Sequence, residues 1–379
     1  MDFSFTEEQL MIKQAAKDFA RTELLPGVIE RDEKNIEPIE QIKKMQELGF
    51  MGMMTDPKYG GEGMDTISYV LAMEEISKID ASAAVVMSIQ NSLVNWGLEH
   101  YASEELKQKY LVPMASGKTI GAFALSEPEA GSDATKQRTT AIEKEDHYLL
   151  NGTKNWISNT SIANYFIVIA QTNVEKGHRG INAFIVEKGW KGFDLGPMEN
   201  KMGLRGSHTH SLMFTDVKVP KENRIGEDGF GFKLALLSLN GGRIGIAAQA
   251  LGIAQGALDL AIQYSKERKA FGKYISEHQA IAFKLADMHI KTESARNMVY
   301  KAAWIKDQHK DYNMASASAK YIAAENAMYV TTEAVQIHGG YGYVKEYHVE
   351  RLMREAKLTQ IYEGTSEIQQ IVISRELLK

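Results

Sequence analysis

The chain contains no cysteine, so disulfides, thiolate nucleophiles and cysteine-ligated metals are excluded. Neither sign of charge dominates: 44 Lys and Arg stand against 49 Asp and Glu, a net charge of -5. The charges are well mixed, with no basic stripe for nucleic acid and no acidic tail. No apolar run reaches the ~20 residues a membrane span requires; the most apolar stretch, 244–258, is interrupted by Gln249 and Gln255. The opening MDFSFTEEQLMIKQ places Asp2, Glu7 and Glu8 where a secretory signal needs a basic region and an apolar core, which gives the expectation of a cytoplasmic protein. The ten histidines show no metal-ligand spacing. There is no P-loop, no dinucleotide-binding glycine fingerprint and no internal repeat. Chemistry must therefore come from carboxylates, hydroxyls, histidines or a bound cofactor.

What is present is 379 residues at 44% hydrophobic content, enough for two or three domains with sizeable cores. Thr6 and Gln9 form a capping-box signature ahead of a first helix, with Phe5 and Leu10 spaced as its hydrophobic staple. Helical periodicity continues to Pro26 and returns over 39–48, 67–76 and 106–114. Short β-rich runs follow at 119–125, 165–170, 182–186 and 211–214, and Asn151-Gly152 predicts a tight hairpin turn. Long helical patterns resume over 232–268, 275–307, 314–337 and 349–357. The expected architecture is an α+β multidomain chain: an N-terminal α-helical domain (1–117), a middle antiparallel β domain (118–228) and a C-terminal four-helix-bundle domain (229–379).

Several stretches can carry chemistry. In IYEGTSEIQ, Glu363 precedes an apolar helical pattern for which Ser366 and Gln369 fit a capping box, and Gly364 permits close approach of a ligand to the main chain. Burial under a ligand raises a carboxyl by up to ~3–5 units, which outweighs the stabilisation available at a helix terminus. Spacing alone also allows a solvated helix-end charge. LSEPEAGSD offers loop hydroxyls and amides at Ser126 and Ser132, or plain turn chemistry. Trp156 follows the Asn-Gly pair as a ring wall for an aromatic ligand or as core. Gly241-Gly242-Arg243 suits an anion or a helix lead-in, and Gly339-Gly340 a phosphate or a helix C-cap.

Taken in order, LSEPEAGSD, TKNWISN, ERKAFGKYISEHQA, QIHGGYGY and IYEGTSEIQ resemble segments of the acyl-CoA dehydrogenase family, and the resemblance runs from the first helix to Lys379. It implies an FAD enzyme that removes two hydrogens from an acyl-CoA to give the trans-2-enoyl-CoA, as in fatty-acid β-oxidation, and passes electrons to an electron-transfer flavoprotein. Glu363 is then the base that takes the α proton while the β hydrogen leaves as hydride to the flavin. The thioester oxygen is held by the Glu363 backbone amide and a flavin hydroxyl.

Carried over residue by residue, the resemblance assigns Phe123, Leu125, Ser126, Trp156, Ile157 and Ser158 to the isoalloxazine and Ser132 to both flavin and CoA. It assigns Arg268, Phe271, His278 and Gln279, with Gln336, Ile337, Gly339 and Gly340, to the FAD of a neighbouring subunit, and Thr365 and Glu367 to its adenosine side. Shared cofactors imply a homotetramer built as a dimer of dimers. Asn240, Arg243, Tyr362 and Gly364 fall in the substrate set, and Ile246, Gln249 and Thr359 resemble the short-chain, butyryl-CoA branch, where a bulky polar side chain closes the acyl pocket. Asn240 departs from an Asp frequent in the family, which leaves the tuning of Arg243 open; Ser126 and Ser158 stand where Thr is frequent, and His348 replaces a usual Pro. The same resemblance admits an enoyl-CoA reductase direction, an acyl-CoA oxidase or a non-catalytic scaffold.

Overall fold

The structure, a computed structural model, describes residues 4–379; Met1, Asp2 and Phe3 lie outside the described residues, and with them the Asp2 of the N-terminal reading. The first third is helical: α1 (Glu7–Phe19), α2 (Val28–Lys34), α3 (Ile39–Glu47), α4 (Thr66–Ser77), α5 (Ala81–Ser88), α6 (Trp96–Tyr101), α7 (Glu104–Leu106) and α8 (Val112–Ala115). Thr6 and Gln9 cap α1 reciprocally, as their spacing predicts. Of the two staple residues, Leu10 is exposed and the Phe5 ring lies edge-on to Tyr300 of a later helix.

The middle third is a sheet of β1 (Gly121–Ala124), β2 (Thr140–Glu143), β3 (His147–Ser158), β4 (Tyr165–Gln171), β5 (Ile181–Glu187), β6 (Phe193–Met198), β7 (Thr209–Pro220) and β8 (Arg224–Ile225). Its path runs β6-β7-β3-β2-β4-β5-β8, and β1 pairs with β4. Pairing is mainly antiparallel; β1 against β4 is parallel. The expected Asn151-Gly152 hairpin is wrong. β3 runs straight through it, and the pair sits at a register shift against β7, where Gly152 takes a φ of +140°. A Cβ there would lie 2.7 Å from Thr139 Cα, so the glycine serves a bulge and a close strand approach instead of a turn.

The final third comprises α9 (Gly231–Glu267), a short ribbon of β9 (Lys269–Ala270) and β10 (Lys273–Tyr274), then α10 (Gln279–Asp307), α11 (Asn313–His338), α12 (His348–Thr359) and α13 (Ser366–Leu377). The long helices lie within a residue or two of their sequence-predicted spans, apart from α10, which starts after a short 3-10 turn. Among the described residues, α9 alone has a window long and apolar enough for a membrane span, and 83% of that window is buried inside the protein. It packs against α4, α10, α11 and α12, and the core it builds takes in one face of the sheet (Phe123, Ile167, Ile169, Ile185), while a second core of Phe166, Val168, Phe184 and Leu212 lies within the sheet domain.

Buried ion pairs pin these layers. Glu74 of α4 receives Arg296 at 2.8 Å and the Tyr300 hydroxyl at 2.6 Å from α10. On α12, Arg351 donates to both oxygens of Glu355 and to Ile79 O, and Arg354 reaches Asp32 at 2.6 Å and Met202 O at 2.9 Å. The helix leading into Glu363 is thus clamped to both other thirds of the chain. Burying such charges is costly, and it is tolerated here because each is paired and hydrogen-bonded.

Candidate active site

α12 ends at Thr359, and the next residues wind back on it through Ile361 N–H and Tyr362 N–H to Leu358 O. Glu363 and Gly364 then take φ angles of +52° and +92°, which reverses the chain into α13. A glutamate in the left-handed region costs about 1–2 kcal/mol, a strain that persists only where the surroundings hold it. Here they do. The Gln369 amide donates to Gly364 O at 2.9 Å and Glu363 O at 3.3 Å, and Lys320 Nζ donates to Gly364 O at 2.7 Å. The expected Ser366–Gln369 capping box is corrected accordingly: Thr365 is the N-cap, accepting from Ile368 N, and Gln369 is spent on the turn. Among the described residues, the N–H of Glu363 donates to no group.

The Glu363 carboxylate points at α9. A Cβ on Gly242 would meet its Oε2 at 2.1 Å, so the glycine leaves a slot for the acid; it is neither a helix lead-in nor an anion nest. Oε2 is buried and has no hydrogen-bond partner, although the residue as a whole keeps some exposure. Loss of water pushes the carboxyl up to about 7, against the opposing pull of Lys320 and then Arg243. Arg243 is buried and bonds two neutral amide oxygens, Asn240 Oδ1 at 2.8 Å and Asn313 Oδ1 at 3.2 Å. Asn240 in place of an acid therefore leaves the Arg243 charge un-neutralised toward Glu363.

One helical turn and two turns beyond Gly242 on the same face of α9 lie Ile246 and Gln249, both fully buried. Gln249 accepts a hydrogen bond from the Tyr362 hydroxyl and donates to Ala81 O at 2.8 Å, which fixes its side chain across the helix gap. Thr359 is buried, its hydroxyl turned back onto Ala356 O. Tyr69 of α4 completes this wall: its hydroxyl would lie 2.4 Å from a Cβ on Gly245 and bonds Ser92 Oγ at 3.1 Å.

On the sheet side, fully buried Lys154 binds Glu127 Oε1 (2.7 Å), Leu125 O (3.0 Å) and Gln137 Oε1 (3.1 Å), and Glu127 accepts from Arg138 N and Thr139 N. These bonds fold the LSEPEAGSD loop onto β3, where Asn155 N donates to Ser126 O at 2.8 Å. Ser126 is thereby set beside Trp156. Trp156 sits at a register shift with φ +62° and its ring 59% exposed, so it is not core. Phe123 and Ile157 are buried, Leu125 and Ser158 half-buried and Ser132 exposed; none of the Ser126, Ser132 or Ser158 hydroxyls is engaged among the described residues. A π-helical turn, Ile89–Asn95, reaches from the sheet to the acid: Gln90 accepts from Gly121 N at the start of β1, and Leu93 Cδ2 lies 2.8 Å from where a Cβ on Gly242 would stand.

The remaining predicted residues form a second group. Arg268, Ile337, Gly339 and Gly340 line an open cavity of about 550 Å³ with Tyr264 and Tyr341. Gly339 is the C-cap of α11 at φ +60°, with open space around both glycines. Phe271 is 97% exposed beside His278, and Gln279 and Gln336 are exposed nearby. Eighteen residues of α11 between Lys320 and His338 put roughly 27 Å between this group and the Glu363 turn. One chain does not bring the two together. Thr365 and exposed Glu367 lie at the start of α13.

Sequence reasoning missed Lys320, Tyr69, the turn-holding role of Gln369 and the purpose of Gly242. Of these, only Lys320 carried a visible signal, as the lone cation on the small-residue face of Ser316, Ala323 and Ala327.

Comparison with known proteins places the chain in a family. The family models for the acyl-CoA dehydrogenase N-terminal, middle and C-terminal domains match residues 6–118, 122–217 and 229–378. The short-chain specific acyl-CoA dehydrogenase of Clostridium acetobutylicum is 49% identical over the whole of both chains. The structure of butyryl-CoA dehydrogenase from Megasphaera elsdenii superposes with a TM-score of 0.98 at 49% identity, covering all of both chains. A chain solved in work on the electron transferring flavoprotein of Acidaminococcus fermentans and flavin-based electron bifurcation gives 0.99 at 51% identity, again over all of both.

Proposed function

The chain belongs to the acyl-CoA dehydrogenase family, and from that premise we propose how its residues perform the reaction: α,β-dehydrogenation of a short-chain, butyryl-CoA-like thioester to the trans-2-enoyl-CoA, with Glu363 as base. It is an FAD-dependent oxidoreductase that hands its electrons to electron-transfer flavoprotein. The observation that carries the assignment of the base is the buried, unpartnered Oε2 of Glu363 seated in the Gly242 slot.

The fit to FAD rests on an exposed Trp156, the unengaged Ser126 and Ser158 hydroxyls near it, and the unengaged Ser132 hydroxyl further along the same loop. Bound FAD supplies the two-electron acceptor. Glu363, at about 7, is partly ionised at neutral pH and far more basic than an ordinary carboxylate, the tuning a general base requires. Its own free N–H donates to the thioester oxygen as charge develops there; one such donor is worth about 10²–10³ in rate. Phe123, Leu125, Ser126, Trp156, Ile157 and Ser158 hold the ring, and Ser132 bridges to CoA. Asn240, Arg243, Tyr362 and Gly364 place the thioester. Ile246, Gln249 and Thr359 close the acyl end, and the Tyr362–Gln249 bond supports a four-carbon limit.

The second group, Arg268, Phe271, His278, Gln279, Gln336, Ile337, Gly339 and Gly340, grips the FAD of a neighbouring subunit, with Thr365 and Glu367 on its adenosine side. The roughly 27 Å along α11 supports this reading for the group around Gly339 and Gly340, which cannot serve the same ring as its own Glu363. The assembly is a cytoplasmic homotetramer, a dimer of dimers, with domains at 1–117, 118–228 and 229–379. Glu363→Gln tests the base: the variant is expected to bind FAD and butyryl-CoA without reducing the flavin. Near-normal reduction would refute it.

A further inference from the structure

Lys320 is fully buried on α11, and among the described residues its ammonium makes one hydrogen bond, to Gly364 O at 2.7 Å. Taking an ammonium out of water costs several kcal/mol unless a partner compensates. The carbonyl it serves already has a neutral donor, the Gln369 amide at 2.9 Å. A second donor that merely held the turn need not be charged. What distinguishes Lys320 is its charge, placed on the residue that follows Glu363.

We infer that Lys320 is a positioning residue for proton abstraction: its ammonium locks the Glu363–Gly364 turn through the Gly364 carbonyl and supplies a positive field to the ionised Glu363 carboxylate. The inference rests on the assignment of Glu363 as base. The other groups facing the acid are Arg243 from α9, Tyr69 from α4 and Tyr362 in its own turn. Those facing Lys320 are Glu363, Arg243, Glu325 on its own helix and Glu367 from α13. Arg243 shares the task but is tied to Asn240 and Asn313, whereas Lys320 is tied to the turn itself. Burial lowers the Lys320 ammonium to about 8, so it carries its charge on the acidic limb, below about pH 7, where Glu363 begins to ionise.

Two variants separate the roles. Lys320→Gln keeps an N–H donor within the site and drops the charge; Lys320→Met drops both. Holoenzymes are reduced anaerobically with butyryl-CoA in stopped flow across the acidic limb of the pH profile. Both variants are expected to keep FAD and a near-wild-type KM, and Lys320→Met to lose about 10- to 100-fold in kcat. In Lys320→Gln the limb should move up by about one pH unit, because removing an adjacent opposite charge raises a carboxyl. An unmoved limb, or a change confined to KM, overturns the inference. If Lys320→Met does not fold, Lys320→Gln decides alone. A wild-type flavin that no acyl-CoA reduces would instead overturn the functional reading beneath it.

Discussion

Gly242→Ala is the sharpest structural test of the base. The added Cβ would sit 2.1 Å from Glu363 Oε2, 2.8 Å from Leu93 Cδ2 and 3.1 Å from Glu363 Cδ. Since real Cβ atoms keep beyond 3.0 Å, the carboxylate must retreat by about 0.9 Å or the helix must shift. A displacement of ~1 Å at a reacting group costs about 10²-fold in rate. Overpacking costs about 1–3 kcal/mol, of which Ala recovers ~1 kcal/mol of helix propensity inside α9, so the net loss of stability is about 0–2 kcal/mol. The variant should therefore fold, load FAD and show only a small fall in Tm, with kcat for butyryl-CoA down about 10²-fold. Gly241→Ala is the control, because its Cβ would have no neighbour closer than 3.9 Å. It should leave kcat intact and gain up to ~1 kcal/mol. A folded Gly242→Ala holoenzyme with wild-type kcat would refute the carboxylate slot.

Other outcomes follow from the same geometry. Folding raises the Glu363 carboxyl from 4.5 to about 7, so the native state holds the extra proton between those values and loses stability as pH rises through them. Glu363→Gln should remove that slope and be more stable above pH 7 by up to about 3 kcal/mol, read from Tm against pH; a parallel Tm profile would contradict it. The rate of flavin reduction in the wild type should climb through about pH 7 as Glu363 ionises, and a profile flat from pH 5 to 8 would count against the acid as base. Removing Arg351 by Arg351→Ala strands buried Glu355 and frees Ile79 O, a loss of ~3–5 kcal/mol that should appear as a clear drop in Tm. An unchanged midpoint would show the clamp on α12 to be dispensable.

The long helices were legible because their apolar periodicity persists over many turns, as in 232–268 against the observed Gly231–Glu267. The Asn151-Gly152 pair misled because a bulge and a hairpin ask for the same permissive backbone, and only the partner strand β7 decides between them. Gln369 misled in the same way: its spacing from Ser366 fits a cap, but the competing acceptors Glu363 O and Gly364 O are created by the turn itself. Glu363 was readable through the resemblance of its neighbours. Its slot was not, since Gly242 and Glu363 are 121 positions apart and meet only when α9 packs beneath the α12–α13 turn. Lys320 belongs to the same class, a cation whose partner is a backbone carbonyl that no side-chain pattern announces.

The central claim is that Glu363 and a bound flavin together dehydrogenate a short acyl-CoA. The most direct measurement is an anaerobic titration of the FAD-loaded wild-type protein with butyryl-CoA, following the flavin absorbance, with octanoyl-CoA run in parallel. The account predicts rapid bleaching by butyryl-CoA and slower bleaching by octanoyl-CoA, as Gln249 and Tyr362 close the pocket. A flavin that stays oxidised with butyryl-CoA, or that octanoyl-CoA reduces faster, would contradict it.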